Sequence, residues 1–70
     1  MSAVTDELKS WKDELEAIAS GLFATLDFAR LEGVGRSYLY EIQDAIDHTN
    51  SVCAHLDRTI HEMETEILER

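Results

Sequence analysis

The sequence predicts an all-α protein: two long helices folded back as an antiparallel hairpin, with two copies joined in a four-helix bundle. Three observations carry this. Proline is absent and two of the three glycines, Gly33 and Gly35, fall in one short segment, so helix is interrupted in only one place. Apolar residues recur in alternating steps of three and four on both sides of that segment. The apolar positions also outnumber those the seam of a single hairpin can cover.

The first helix carries the stripe Val4, Leu8, Trp11, Leu15, Ile18, Leu22, Thr25 and Ala29. Thr5, followed by Asp6 and Glu7, reads as its start at about residue 5: a hydroxyl accepts an orphan amide bond, and early acids complement the helix dipole. The helix is expected to end near Glu32, because Gly33 and Gly35 can adopt the left-handed geometry that closes a helix C-terminus. Residues 33–36 form the turn, and Ser37 caps a second helix running to about residue 69.

The second stripe is Leu39, Ile42, Ile46, Thr49, Cys53, Leu56, Ile60, Met63 and Ile67. This three-four spacing, sustained over about four heptads, is coiled-coil patterning. A short turn makes the first helix its neighbour, running antiparallel. At about 1.5 Å per residue both helices reach roughly 40 Å or more.

Seventy residues make one domain, residues 1–70, and a hairpin of that size half-buries its seam. More burial is available, since residues 17–31 are apolar or small nearly all round, with Asp27 and Arg30 the only charges. Within them lies a second stripe, Ala17, Gly21, Ala24, Phe28 and Leu31, while Tyr38, Ala45 and Val52 flank the seam of the second helix. Ala17, Gly21, Ala24, Phe28, Leu31, Ala45 and Val52 are therefore the expected homodimer interface.

Fifteen acids against six Lys and Arg give a net charge of -9, which repels nucleic-acid backbones and anionic membranes. No apolar run approaches the roughly 18 residues a membrane span needs, and Asp6 and Glu7 stand where a signal peptide would be basic. A lone Cys53 forms no internal disulfide and fits a reducing compartment, so the expected location is cytoplasmic.

No catalytic constellation is expected. His48, His55 and His61 lack the four-residue spacing that sets two imidazoles side by side; Asp44 with His48 and Asp57 with His61 read instead as modest surface pairs. Glu41 with Asp44, and Asp13 with Glu14 and Glu16, invite comparison with the acidic helices of all-α nucleotide pyrophosphohydrolases. The repeated carboxylates that hold magnesium there are missing here. Neither metal nor cofactor is expected, and Cys53 falls on a seam position as a small buried hydrophobe.

The residues that point to a function lie near the bend: Phe23, Arg30, Arg36, Tyr38 and Tyr40, close to Leu26 and Val34. Aromatic residues and arginine dominate binding hot spots, because they bury large areas with few rotors or make forked hydrogen bonds. In shape the hairpin is similar to WXG-type secreted proteins, but its turn reads Glu-Gly-Val-Gly-Arg without Trp-x-Gly. It is also similar to small plasmid-copy-control bundles that bind RNA, but has no basic face.

The expected function is that of a small acidic homodimer that regulates or inhibits a larger protein. Small motif-free products of phages and mobile elements that disable host proteins are of this general kind. The competing readings are an acidic DNA mimic using Glu41, Asp44, Asp47, Asp57 and Glu62, and a structural assembly module.

Overall fold

The computed structural model describes the backbone of residues 3–69 and the side chains of residues 3–66. It is an all-helical hairpin of two elements, α1 (Ala3–Leu31) and α2 (Arg36–Glu69), with no strand among the described residues. The Cα atoms extend over 55 × 15 × 11 Å. That length matches the roughly 51 Å expected of a 34-residue helix, so the longer helix sets the length of the rod.

The bend closes by a specific set of backbone bonds. Val34 N–H donates to the Ala29 carbonyl at 3.0 Å and Gly33 N–H to the Arg30 carbonyl at 3.2 Å, which together satisfy carbonyls that the end of α1 would leave orphaned. This closure needs one left-handed residue, and Gly33 supplies it with φ 77°. Gly35 does not share that geometry, contrary to the sequence reading; its carbonyl accepts from Tyr38 and Leu39 N–H and so opens α2.

α2 therefore starts at Arg36, one residue before Ser37, and Ser37 is not its cap. Thr5 likewise does not precede α1, which has begun by Ala3; at 2% exposure it is one of the most buried side chains. Gly33→Ala is expected to cost about 1 to 2 kcal/mol, the steric penalty of the left-handed region for a residue with Cβ. Gly35→Ala should stay near neutral, since an added methyl group would meet only the Tyr38 ring at 3.6 Å. Urea denaturation of the two variants checks the contrast.

The seam of α2 is the one its spacing predicts. Ile46, Cys53 and Ile60 are buried, and Leu39, Ile42, Thr49, Leu56 and Met63 are half-buried; Ile67 lies outside the described side chains. Thr49 fits an apolar seam because its hydroxyl donates to the Ala45 carbonyl at 2.8 Å, leaving its methyl to pack.

The seam of α1 is only half the predicted one. Leu8, Leu15, Leu22 and Ala29 do face α2, but Val4, Trp11, Ile18 and Thr25 are exposed, and the residues one position on, Thr5, Lys12, Ala19 and Leu26, take their places. α1 is apolar over two adjacent faces, and the more polar of the two pairs with α2. Ala19, small and buried, lets the helices approach, and Lys12 is accommodated by an acid on α2.

Candidate functional site: two unlike sides of the hairpin

With seams at 5, 8, 12, 15, 19, 22, 26 and 29 on α1 and at 39, 42, 46, 49, 53, 56, 60 and 63 on α2, a 3.5-residue repeat fixes what each helix presents on either side of their contact. On one side α1 presents Lys9, Glu16, Phe23 and Arg30, and α2 presents Arg36, Gln43, Asn50, Asp57 and Glu64. Ion pairs stitch this side across the two helices. Lys9 Nζ lies 3.3 Å from Glu64 Oε1, and Lys12 Nζ lies 3.2 Å from Asp57 Oδ1 and 3.3 Å from Glu16 Oε1.

A groove of about 560 Å³ runs beside these pairs, and a smaller one of about 320 Å³ follows it toward the bend, lined by Glu16, Ala19, Ser20, Phe23, Ile46 and Asn50. Both are shallow and open. Asp57, which spacing would also offer to His61, is thus engaged by Lys12. Among the described residues no three His, Cys, Asp or Glu side chains group as metal ligands, and no helix is long and apolar enough to cross a membrane.

Hydrogen bonds to Asp57 and then Glu16 hold the Lys12 ammonium above its ordinary value of 10.5. A raised folded-state value means that the stability contributed by Lys12 is fully present below 10.5 and is lost as pH rises through the folded value. Thermal midpoints of the wild-type chain should therefore fall more steeply above pH 10.5 than those of Lys12→Met, which has no charge to lose. Superimposable alkaline profiles would show that the cross-helix pair contributes nothing.

The opposite side has another character. There α1 presents Val4, Trp11, Ile18 and Thr25, and α2 presents Tyr38, Ala45, Val52, Thr59 and, at its far end, Glu66. Val4, Trp11 and Ile18 are between 52% and 56% exposed, and Thr25 turns its hydroxyl back to the Gly21 carbonyl at 3.0 Å, presenting a methyl group. The seam itself is less closed here. Of its two columns on each helix, the one toward the ion-paired side holds Thr5, Ala19, Leu26, Ile46, Cys53 and Ile60, all buried, with Lys12 and Leu39 half-buried among them. The column toward the apolar side holds Leu8, Leu15, Leu22, Ile42, Thr49, Leu56 and Met63, all half-buried, and Ala29, which is buried.

Placed on this frame, the residues near the bend divide. Phe23, Arg30, Arg36 and Tyr40 lie toward the ion-paired side, while Tyr38 lies on the apolar side with its ring over Gly35. Phe23 is 52% and Tyr40 63% exposed; Arg30 is held by Asp27 at 3.4 Å. Leu26, counted near this patch from sequence, is fully buried and belongs to the core. The stripe expected to pair two copies also divides. Ala17, Ala24 and Leu31 occupy the back of α1, away from α2, and Gly21 and Phe28 lie between that back and the apolar side; only Ala45 and Val52 stand beside the exposed Trp11 and Ile18 column.

Val4, Trp11, Ile18 and Thr25 carry seam spacing in the sequence and stand exposed in the fold. The signal that could have found the true seam is Lys12, spaced to reach an acid on an antiparallel neighbour. No protein-family model, curated protein or solved structure matches this chain.

Proposed function

We propose that this chain is a non-enzymatic protein-binding regulator that acts as a homodimeric four-helix bundle and docks a larger protein near its bend. The observation that carries the docking is a cluster of large side chains left in water where α1 turns into α2. Tyr40 is 63% and Leu31 86% exposed, with Arg30 and Arg36 at the same turn; Tyr38 and Phe28, each more than 60% exposed, lie toward the opposite side. Exposed aromatics and arginine grouped at one end of a rod are costly to solubility and useful for binding. Arg36 and Tyr40, one turn apart on the ion-paired side, form the centre of this patch, and Phe23 lies further along the same side, beside Ile46 and Asn50.

The dimer is supported by shape. The radius of gyration is 16.1 Å, against about 11 Å for a compact 70-residue chain. A rod of this kind leaves apolar side chains in water that a second rod can cover.

The DNA-mimic reading draws its support from the charge of -9, but two of its five acids are already committed, Asp57 to Lys12 and Asp47 to the Gln43 amide at 3.1 Å. Salt separates the readings. Binding of a captured partner through the aromatic patch should survive an increase in ionic strength from 0.1 M to 1 M, whereas mimicry should collapse as the Debye length falls from about 10 Å to about 3 Å. A partner lost at high salt and retained by the Arg36→Ala/Tyr40→Ala chain would overturn the proposal; self-association with no captured partner would favour a structural assembly module.

A further inference from the structure

We infer that the second copy of this chain seats on the apolar side of the hairpin, on Val4, Trp11, Ile18 and Thr25 of α1 with Ala45 and Val52 of α2, and not on the small-residue stripe along the back of α1. This rests on the dimeric reading above and names its surface.

The exposed area is enough for one such interface. An 8.0 kDa compact monomer exposes roughly 4,450 Å² by the usual scaling of surface with mass. This chain exposes 5387 Å², an excess of roughly 900 Å², close to the roughly 800 Å² that each partner contributes to a standard interface. One more molecule of the same size, covering one side, accounts for the excess.

Asymmetry identifies the side. Ion pairs bridge the helices on one side, where most of the seam is buried, whereas in the column on the other side every seam residue but Ala29 is only half-buried, beneath an exposed tryptophan, isoleucine and valine. Covering the back of α1 would leave that column open; covering the apolar side closes both columns at once, as in a four-helix bundle.

Length and symmetry point to a second copy. The face runs along both helices of a 55 Å rod, so a covering surface must be equally long and apolar, and a two-fold axis lets the face pair with itself.

The test uses the intact chain and its single tryptophan, which lies on the proposed face. Sedimentation at rising concentration is expected to show monomer passing to dimer by the micromolar range, with Trp11 emission shifting to the blue in step as the indole leaves water. Trp11→Glu and Val52→Glu should each weaken the dimer at least 100-fold, whereas Ala24→Glu on the back of α1 should leave it unchanged.

A wild-type dimer whose Trp11 emission stays that of a solvated indole would overturn this face while leaving the dimer standing. So would dissociation by Ala24→Glu but not by Trp11→Glu. A folded wild-type monomer at micromolar concentration would overturn the dimer itself. Because the emission readout needs no variant, a substituted chain that fails to fold leaves the test intact.

Discussion

Replacing Leu26 or Ile46 by alanine is expected to cost about 2 to 5 kcal/mol, as large-to-small substitution at a fully buried site does. Leu26 is 0% and Ile46 1% exposed, the two largest side chains removed from water, and they lie on facing seams. A 70-residue domain has a total stability of only roughly 4 to 10 kcal/mol, so either substitution should bring the chain close to unfolding at ambient temperature. Leu31→Ala, at a site 86% exposed, should stay within about 0.5 kcal/mol. The sharper comparison is Leu26→Ala against Thr25→Ala. The structure assigns the large loss to Leu26, whereas a seam through Thr25 would assign it there. Urea denaturation followed by helical circular dichroism decides, and equal midpoints for those two variants would show that the register of α1 is wrong.

The second large effect is expected at the bend. Truncating Arg36 or Tyr40 should each weaken capture of the protein partner by about 30-fold, the equivalent of a hot-spot loss of about 2 kcal/mol. The double variant should lose it altogether in a pull-down. Both side chains are exposed and sit in the first two turns of α2, so the helical circular dichroism and melting of the double variant should match the parent within about 0.5 kcal/mol. Undiminished capture by the folded double variant would remove the patch from the binding surface. Tyr38→Ala supplies an internal contrast: Tyr38 lies on the opposite side of the hairpin, where the second copy is placed, and its loss should affect self-association more than partner capture.

These predictions separate two kinds of residue that look alike in one dimension. The α2 seam was legible residue by residue from Leu39 to Met63 because the column on one side of it, Arg36, Gln43, Asn50, Asp57 and Glu64, is wholly polar and the other carries only Tyr38 and Val52 as large apolar residues, which leaves one phase for the helix. α1 offered no such contrast. Between Ala17 and Leu31 it is apolar on nearly every face, and two seams one residue apart share Leu8, Leu15, Leu22 and Ala29. Choosing by hydrophobicity selects Trp11 over Lys12 and Ile18 over Ala19, and the fold selects the reverse.

By itself, then, the sequence determined that this chain is helical, where it bends, which face of α2 is buried, and that it carries more apolar surface than one hairpin hides. Those properties are local: spacing, the absence of proline, and a glycine free to take φ 77° at Gly33. The tertiary structure alone decided which of two apolar faces of α1 turns inward. That choice depends on what α2 presents opposite, since Asp57 and Glu64 reward Lys12 and Lys9 on one side and nothing on α2 shields Trp11 on the other. Burial of an apolar side chain gains free energy wherever it occurs, and a lysine beside the seam keeps its stem against apolar surface while its ammonium reaches an acid. In the fold, the inward face of α1 is the one whose lysines meet acids on α2, and Val4, Trp11 and Ile18 are left facing outward.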